Sequence, residues 1–142
     1  MGIIKKKKIN LKKLTFLIAI MAIMLLTPAM FGKDKQKGEI KFTETTYDFG
    51  TIKEKGGPVS HEFTFENTGT GNLVITDAKA ECGCTVPEFP QAPIAPGKKG
   101  VIKVTYNPLG RPGGFTKVVT VRSNGSPSKV TLKIRGSVMP AK

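Results

Sequence analysis

Side chains in this chain alternate between apolar and polar over most of its length, and that period of two restricts the fold more than any other feature. His61, Phe63 and Phe65 form one large-residue series, while Glu62, Thr64 and Glu66 point the other way. Ile102, Val104 and Tyr106 alternate with Lys103 and Thr105. Val130, Leu132, Ile134, Gly136 and Val138 alternate with Lys129, Thr131, Lys133 and Arg135. Successive side chains of a strand face opposite sides of the sheet, so such runs predict half-buried strands. Further strands are expected at Ile40 to Phe49, Leu73 to Lys79, Thr85 to Val86 and Phe115 to Ser123. Between them, Gly56-Gly57-Pro58, Asn67-Thr68-Gly69, Pro96-Gly97, Asn107-Pro108 and Asn124-Gly125 supply the fixed or positive φ that reversals need. About seven short strands in roughly 100 residues predict an all-β, immunoglobulin-like sandwich. The Cys…Trp…Cys core of antibody domains is absent, because the chain has no tryptophan. Pro87, Pro90, Pro93 and Pro96 exclude a central strand after Val86, so an irregular exposed loop near the cysteines is expected there.

The N-terminus has a different character. Lys5 to Lys8, Lys12 and Lys13 precede Leu14 to Leu26, which is apolar except for Thr15. A basic segment before a short apolar one is the pattern of a secretory signal. Thr27-Pro28-Ala29 offers small residues for cleavage after Ala29. The alternative is retention as a membrane anchor, since no charge occurs from Leu14 to Gly32 and a spanning helix needs about 20 residues. Both fates leave the lysines inside and the domain outside. The expected organisation is a signal or anchor helix over 1–29, a polar tether over 30–38, the sandwich over 39–138 and a tail over 139–142. The sequence therefore predicts an exported protein, periplasmic, secreted or at the cell surface.

Net charge is +13, from 23 basic and 10 acidic residues. Removing the six lysines of the first 29 residues leaves 17 basic against 10 acidic residues, or +7. Export makes a nucleic-acid partner improbable, and lysines alternating with Thr and Ser read as a solvated sheet face with protected edges. The expected partner is an envelope or extracellular protein, with the membrane touched only through an uncleaved N-terminal segment.

Cys82-Gly83-Cys84 is the one chemically suggestive motif, and three readings of it stand. The two thiols, the only cysteines, could form a disulfide. In an extended chain their Cα atoms lie about 7 Å apart, so the bond needs a bend, which Gly83 permits. Closing so small a ring stabilises the fold by only about 1.6 kcal/mol before strain. Alternatively, both sulfurs of an extended pair face one way and could hold copper or zinc, with His61 as a third ligand. His61 continues the Phe63 and Phe65 face, however, where a hydrogen-bonded rim histidine is the commoner role. A thiol-redox function is the third reading, although the usual redox spacing is Cys-x-x-Cys. No catalytic residues emerge: with one histidine and no Gly-x-Ser-x-Gly, nucleophilic catalysis lacks its parts, and no cofactor is called for.

A series of motifs also resembles a known family. Tyr47-Asp48-Phe49-Gly50-Thr51-Ile52, His61 to Gly69, Cys82-Gly83-Cys84-Thr85, Ile94-Ala95-Pro96-Gly97, Val104 to Asn107, Gly114-Phe115 and Ser123-Asn124 occur in this order. The set is similar to a family of exported bacterial single-domain proteins that carry a domain of unknown function, and in turn to Hydin-like and major-sperm-protein-like folds. The resemblance implies the sandwich and an exported setting, and it implies no enzymatic activity. The leading expectation is a non-enzymatic exported module with a structural or protein-interaction role. The alternative is a metal or thiol-redox carrier using Cys82, Cys84 and His61.

Overall fold

Alternating side chains become strands when one face of each can be buried against another sheet, and eight strands do so here. The computed structural model describes residues 2, 10–24 and 35–142. In chain order they are β1 (Ile40–Phe42), β2 (Thr46–Lys53), β3 (Val59–Asn67) and β4 (Ile75–Ala80), then β5 (Thr85–Glu88), β6 (Lys99–Tyr106), β7 (Gly113–Ser123) and β8 (Lys129–Met139). One sheet has the order β1-β3-β6-β5 and the other β2-β8-β7-β4. All pairings are antiparallel except β2 with β8, which run parallel. The architecture is an immunoglobulin-like β-sandwich.

Two compact units divide the chain at Asp34 and Lys35. In the first, helix α1 (Leu11–Met24) covers 14 residues. Among the described residues no helix is long and apolar enough to cross a membrane. Lys5 to Lys8, the Thr27-Pro28-Ala29 segment and tether residues 30–34 lie outside the described residues.

The sandwich interior draws equally on both sheets. Phe63, Phe65, Ile102, Val104 and Tyr106 from one, and Val119, Val121, Leu132, Ile134 and Val138 from the other, are each 0–1% exposed. With no tryptophan, aromatic volume comes from paired rings: Tyr106 stacks on Phe115 at 4.0 Å and Phe42 meets Phe65 at 5.4 Å. Gly100 is required opposite Phe65, because that ring occupies the space a Cβ would take.

The single strand expected over Ile40 to Phe49 is two. β1 pairs with β3 through Ile40↔Asn67, whereas β2 pairs with β8 through Tyr47↔Ile134. The chain changes sheets between Phe42 and Thr46, as sandwich strands do at corners. The apolar parity shifts there, from Ile40 and Phe42 to Tyr47 and Phe49, but no Gly, Pro, Asn or Asp marks a turn between them, which is why the stretch reads as one element. The region after Val86 also differs from expectation. β5 reaches Glu88 with Pro87 inside it, tolerated because β5 is an edge strand whose missing N–H disrupts no further ladder. Phe89 and Ile94 are partly buried against the core, and Ile94 bridges to Leu73.

Candidate functional site

Strand directions fix two ends of the sandwich. The tether reaches one end, where Thr70 N–H donates to Lys37 O at 3.1 Å and Ser126 N–H to Gly38 O at 3.0 Å. At the other end lie the last residues of β4, β6 and β8 and the first residues of β3, β5 and β7. Cys82-Gly83-Cys84 forms the connection from β4 to β5 at that far end, so it crosses from one sheet to the other.

A tight turn shapes this corner. Thr85 N–H donates to Cys82 O at 3.3 Å, and the Cα atoms of Cys82 and Cys84 approach to 5.4 Å, joined by a disulfide. The flanks are pinned to the sheets on either side: Glu81 N–H donates to Val118 O at 3.3 Å, and Asn107 N–H to Cys84 O at 2.9 Å. Cys84 is 7% exposed and belongs to the core, whereas Cys82 is only partly buried. Thr85 Oγ1 stands 3.8 Å from each sulfur. Gly83 is exposed, and a Cβ built there would meet nothing within 4 Å.

His61 is elsewhere. It sits on β3 opposite Val104, which in turn faces Pro87 on β5. Cys84 is three residues before Pro87, so two strand spacings and three residues separate it from His61, about 14 Å. His61 stacks on Tyr47 at 3.6 Å with an interplanar angle of 6°, and its Nε2 lies 2.7 Å from Glu44 Oε1. This is a hydrogen-bonded rim position at the β3 side of the sandwich, while the cysteines occupy the β4–β5 side. The structure therefore joins Cys82 to Cys84 and does not bring His61 to either. Bonded to each other, the two sulfurs offer no thiolate to a soft ion. Among the described residues, no three His, Cys, Asp or Glu side chains are grouped to hold a metal.

Two residues neighbour the corner, of which Lys117 escaped the sequence reading and Tyr106 was read only as part of a strand's apolar face. Extending the β4–β7 register from Ala80↔Val119 by two residues sets Cys82 opposite Lys117. Lys117 shares the inward parity of Phe115, Val119 and Val121, and it is partly buried. A lysine in an inward series was the available signal. The second is Tyr106, directly opposite Thr85 and 1% exposed. Burial raises its phenol pKa above the ordinary value, an effect partly offset by the nearby Arg111 cation.

A surface depression of about 580 Å³ lies on the outer face of the other sheet around Gly50, Gly114 and Ser137. Its charges neutralise each other, with Arg135 Nε 3.0 Å from Asp48 Oδ2 and both side chains at least half exposed. It reads as a solvated sheet face.

Fold and corner together define an immunoglobulin-like domain, similar in fold to PapD-like domains, with a bonded cysteine pair at a sheet-to-sheet crossover. A family model described as "Protein of unknown function (DUF1573)" matches residues 40–138, and the chain belongs to that family. Solved structures agree on the fold. A protein of unknown function from Porphyromonas gingivalis W83 superimposes with a TM-score of 0.62 at 14% identity, over 72% of this chain and 47% of that one. The chain thus spans about half the length of that protein. The ASH/PapD-like domain 7 of human CEP192 gives a TM-score of 0.56 at 14% identity, over 75% and 89%. The YadV chaperone gives 0.52 at 15% identity, over 70% and 52%. No curated protein matches the chain.

Proposed function

We propose that this chain is an exported, non-enzymatic immunoglobulin-like module that binds another envelope or extracellular protein by accepting an extended strand. The open edge of β3 carries this reading. β1 covers only Phe65 to Asn67 of the nine residues in β3. Thr64 O accepts from Thr43 N–H at 3.0 Å, so the backbone of Thr64 points toward the β1 side. By the two-residue period, the N–H and C=O groups of Glu62 and Ser60 point the same way. Among the described residues no strand pairs with them there. An added strand would satisfy these groups while side-chain pockets chose the sequence.

Other observations support the same role. The basic and apolar N-terminal run favours export. The sandwich offers a rigid frame without a catalytic constellation, and YadV, a chaperone, shares its fold. The test places a photocrosslinking amino acid at Glu62 of the full chain in intact cells, with Lys133 on the outer face of β8 as control. A discrete crosslinked protein at position 62 alone is expected. Crosslinks of equal yield at both positions, or none at 62, would overturn the reading, as would turnover in a hydrolase screen.

A further inference from the structure

We infer that the Cys82–Cys84 disulfide is a thiol-exchange site in which Cys82 receives the incoming sulfur and Cys84 is the leaving group. The inference is independent of the β3 edge, which lies on the other lateral side of the sandwich.

The bond does little that the corner needs. It closes a ring containing a single intervening residue, so it restricts the unfolded chain very little. Hydrogen bonds from Glu81, Thr85 and Asn107 already hold both flanks in place. The domain core is built from side chains of both sheets, so the fold is expected to persist after reduction. A bond that can open without unfolding the protein is suited to exchange.

Access then sets the direction. Cys84 is 7% exposed and packed into the core, whereas Cys82 is partly buried beside the open space over Gly83. An attacking thiolate therefore reaches Cys82 Sγ. Exchange proceeds through the sulfur that is accessible, and the quality of the leaving thiolate sets its ease. Thr85 Oγ1, 3.8 Å from each sulfur, can donate its proton toward Cys84 Sγ as it leaves, while the difference in exposure alone sets the direction.

The exchange balances with a partner dithiol. One partner thiolate forms a bond to Cys82 Sγ, the Cys82–Cys84 bond breaks, and Cys84 departs with the electron pair and takes up a proton. The second partner thiol then attacks the partner sulfur of the mixed disulfide, and Cys82 leaves as a thiol. The partner loses two electrons and two protons, and the cysteine pair gains them.

Reduced glutathione is the probe, applied to the oxidised full chain without denaturant, with iodoacetamide quenching and peptide mass spectrometry. The expected species carries glutathione on Cys82 and the alkyl group on Cys84, with the circular dichroism spectrum of the untreated protein. Reduction only when denaturant is present, or glutathione distributed equally or mainly on Cys84, would overturn the inference. In the single-thiol variants, Cys84→Ser, which leaves Cys82, should alkylate at least about tenfold faster than Cys82→Ser. Equal rates in two folded variants would also overturn it, and if either variant fails to fold the glutathione map decides alone.

Discussion

Asn67 shows how much one buried side chain can organise. Its Oδ1 accepts from Glu39 N–H at 3.1 Å and Gly69 N–H at 3.0 Å, and its Nδ2 donates to Gly71 O and Ile94 O, both at 2.8 Å. All four of its hydrogen-bonding positions are used, and the residue is 0% exposed. It therefore ties the start of β1, the turn after β3 and the segment before β6. Asn67→Ala should cost about 3 kcal/mol, because several part-buried backbone groups lose their partners at once. Urea unfolding followed by circular dichroism measures this, and a loss below about 1 kcal/mol would contradict the role. Tyr106 predicts a pH effect. Its folded pKa is raised by burial, with Arg111 opposing, so the folded state holds the phenolic proton above the pH at which an unfolded tyrosine releases it. That contribution to stability is complete below about pH 10 and is lost as pH rises through the folded pKa. Thermal melts at increasing alkaline pH should show a steeper loss in the native protein than in Tyr106→Phe, which has no proton to release.

At the scale of elements, the parallel β2–β8 pair depends on an irregularity. The register shifts between Asp48 and Thr51, where Gly50 adopts φ 65° and its N–H bonds Asp48 Oδ1 at 2.8 Å. A β-branched side chain is strained in that region, so Gly50→Val should cost roughly 1–2 kcal/mol and speed amide exchange along β2. Gly114→Ala, at ordinary φ with nothing within 4 Å of the new Cβ, should change stability by less than about 0.5 kcal/mol. Equal losses in the two variants would refute the role of the bulge. The strands that alternation revealed, such as Val130 to Val138, have one wet and one buried face, so pattern and environment coincide. Where they diverge, the reading failed. Thr43 to Thr45 carry no turn residue, so the change of sheet between β1 and β2 is marked only by a shift of apolar parity from Ile40 and Phe42 to Tyr47 and Phe49. Lys117 occupies an inward position without being apolar. His61 and Cys82 do share an end of the sandwich, but their separation across it follows from strand order. Strand order is a non-local property that residue spacing does not encode. Asn67 looked like an ordinary turn residue for the same reason, since three of the groups it binds come from distant or looped segments.

At the scale of the whole molecule, the second and last strands of the sandwich meet: Thr46 pairs with Lys133 and Lys53 with Met139. Closing that pair requires most of the domain to be ordered first, which predicts slow, cooperative folding in the millisecond-to-second range. Among the described residues, every buried core residue lies between Ile40 and Val138, within the unit Lys35–Lys142. A chain of residues 35–142 should therefore fold alone, with unfolding free energy within about 0.5 kcal/mol of the full chain. Both sheets contribute to one interior, so damage in either should be felt by both. Phe63→Ala, a truncation at a 0% exposed site, should lower stability by about 3–5 kcal/mol while leaving a single transition. Near-ultraviolet absorbance of Tyr47 and Tyr106 reports on opposite sheets, β2 and β6, and far-ultraviolet circular dichroism reports on all strands. Coincident midpoints from the two probes would establish the shared core, whereas separate midpoints would mean that the sheets unfold independently and that the interior assigned here does not couple them.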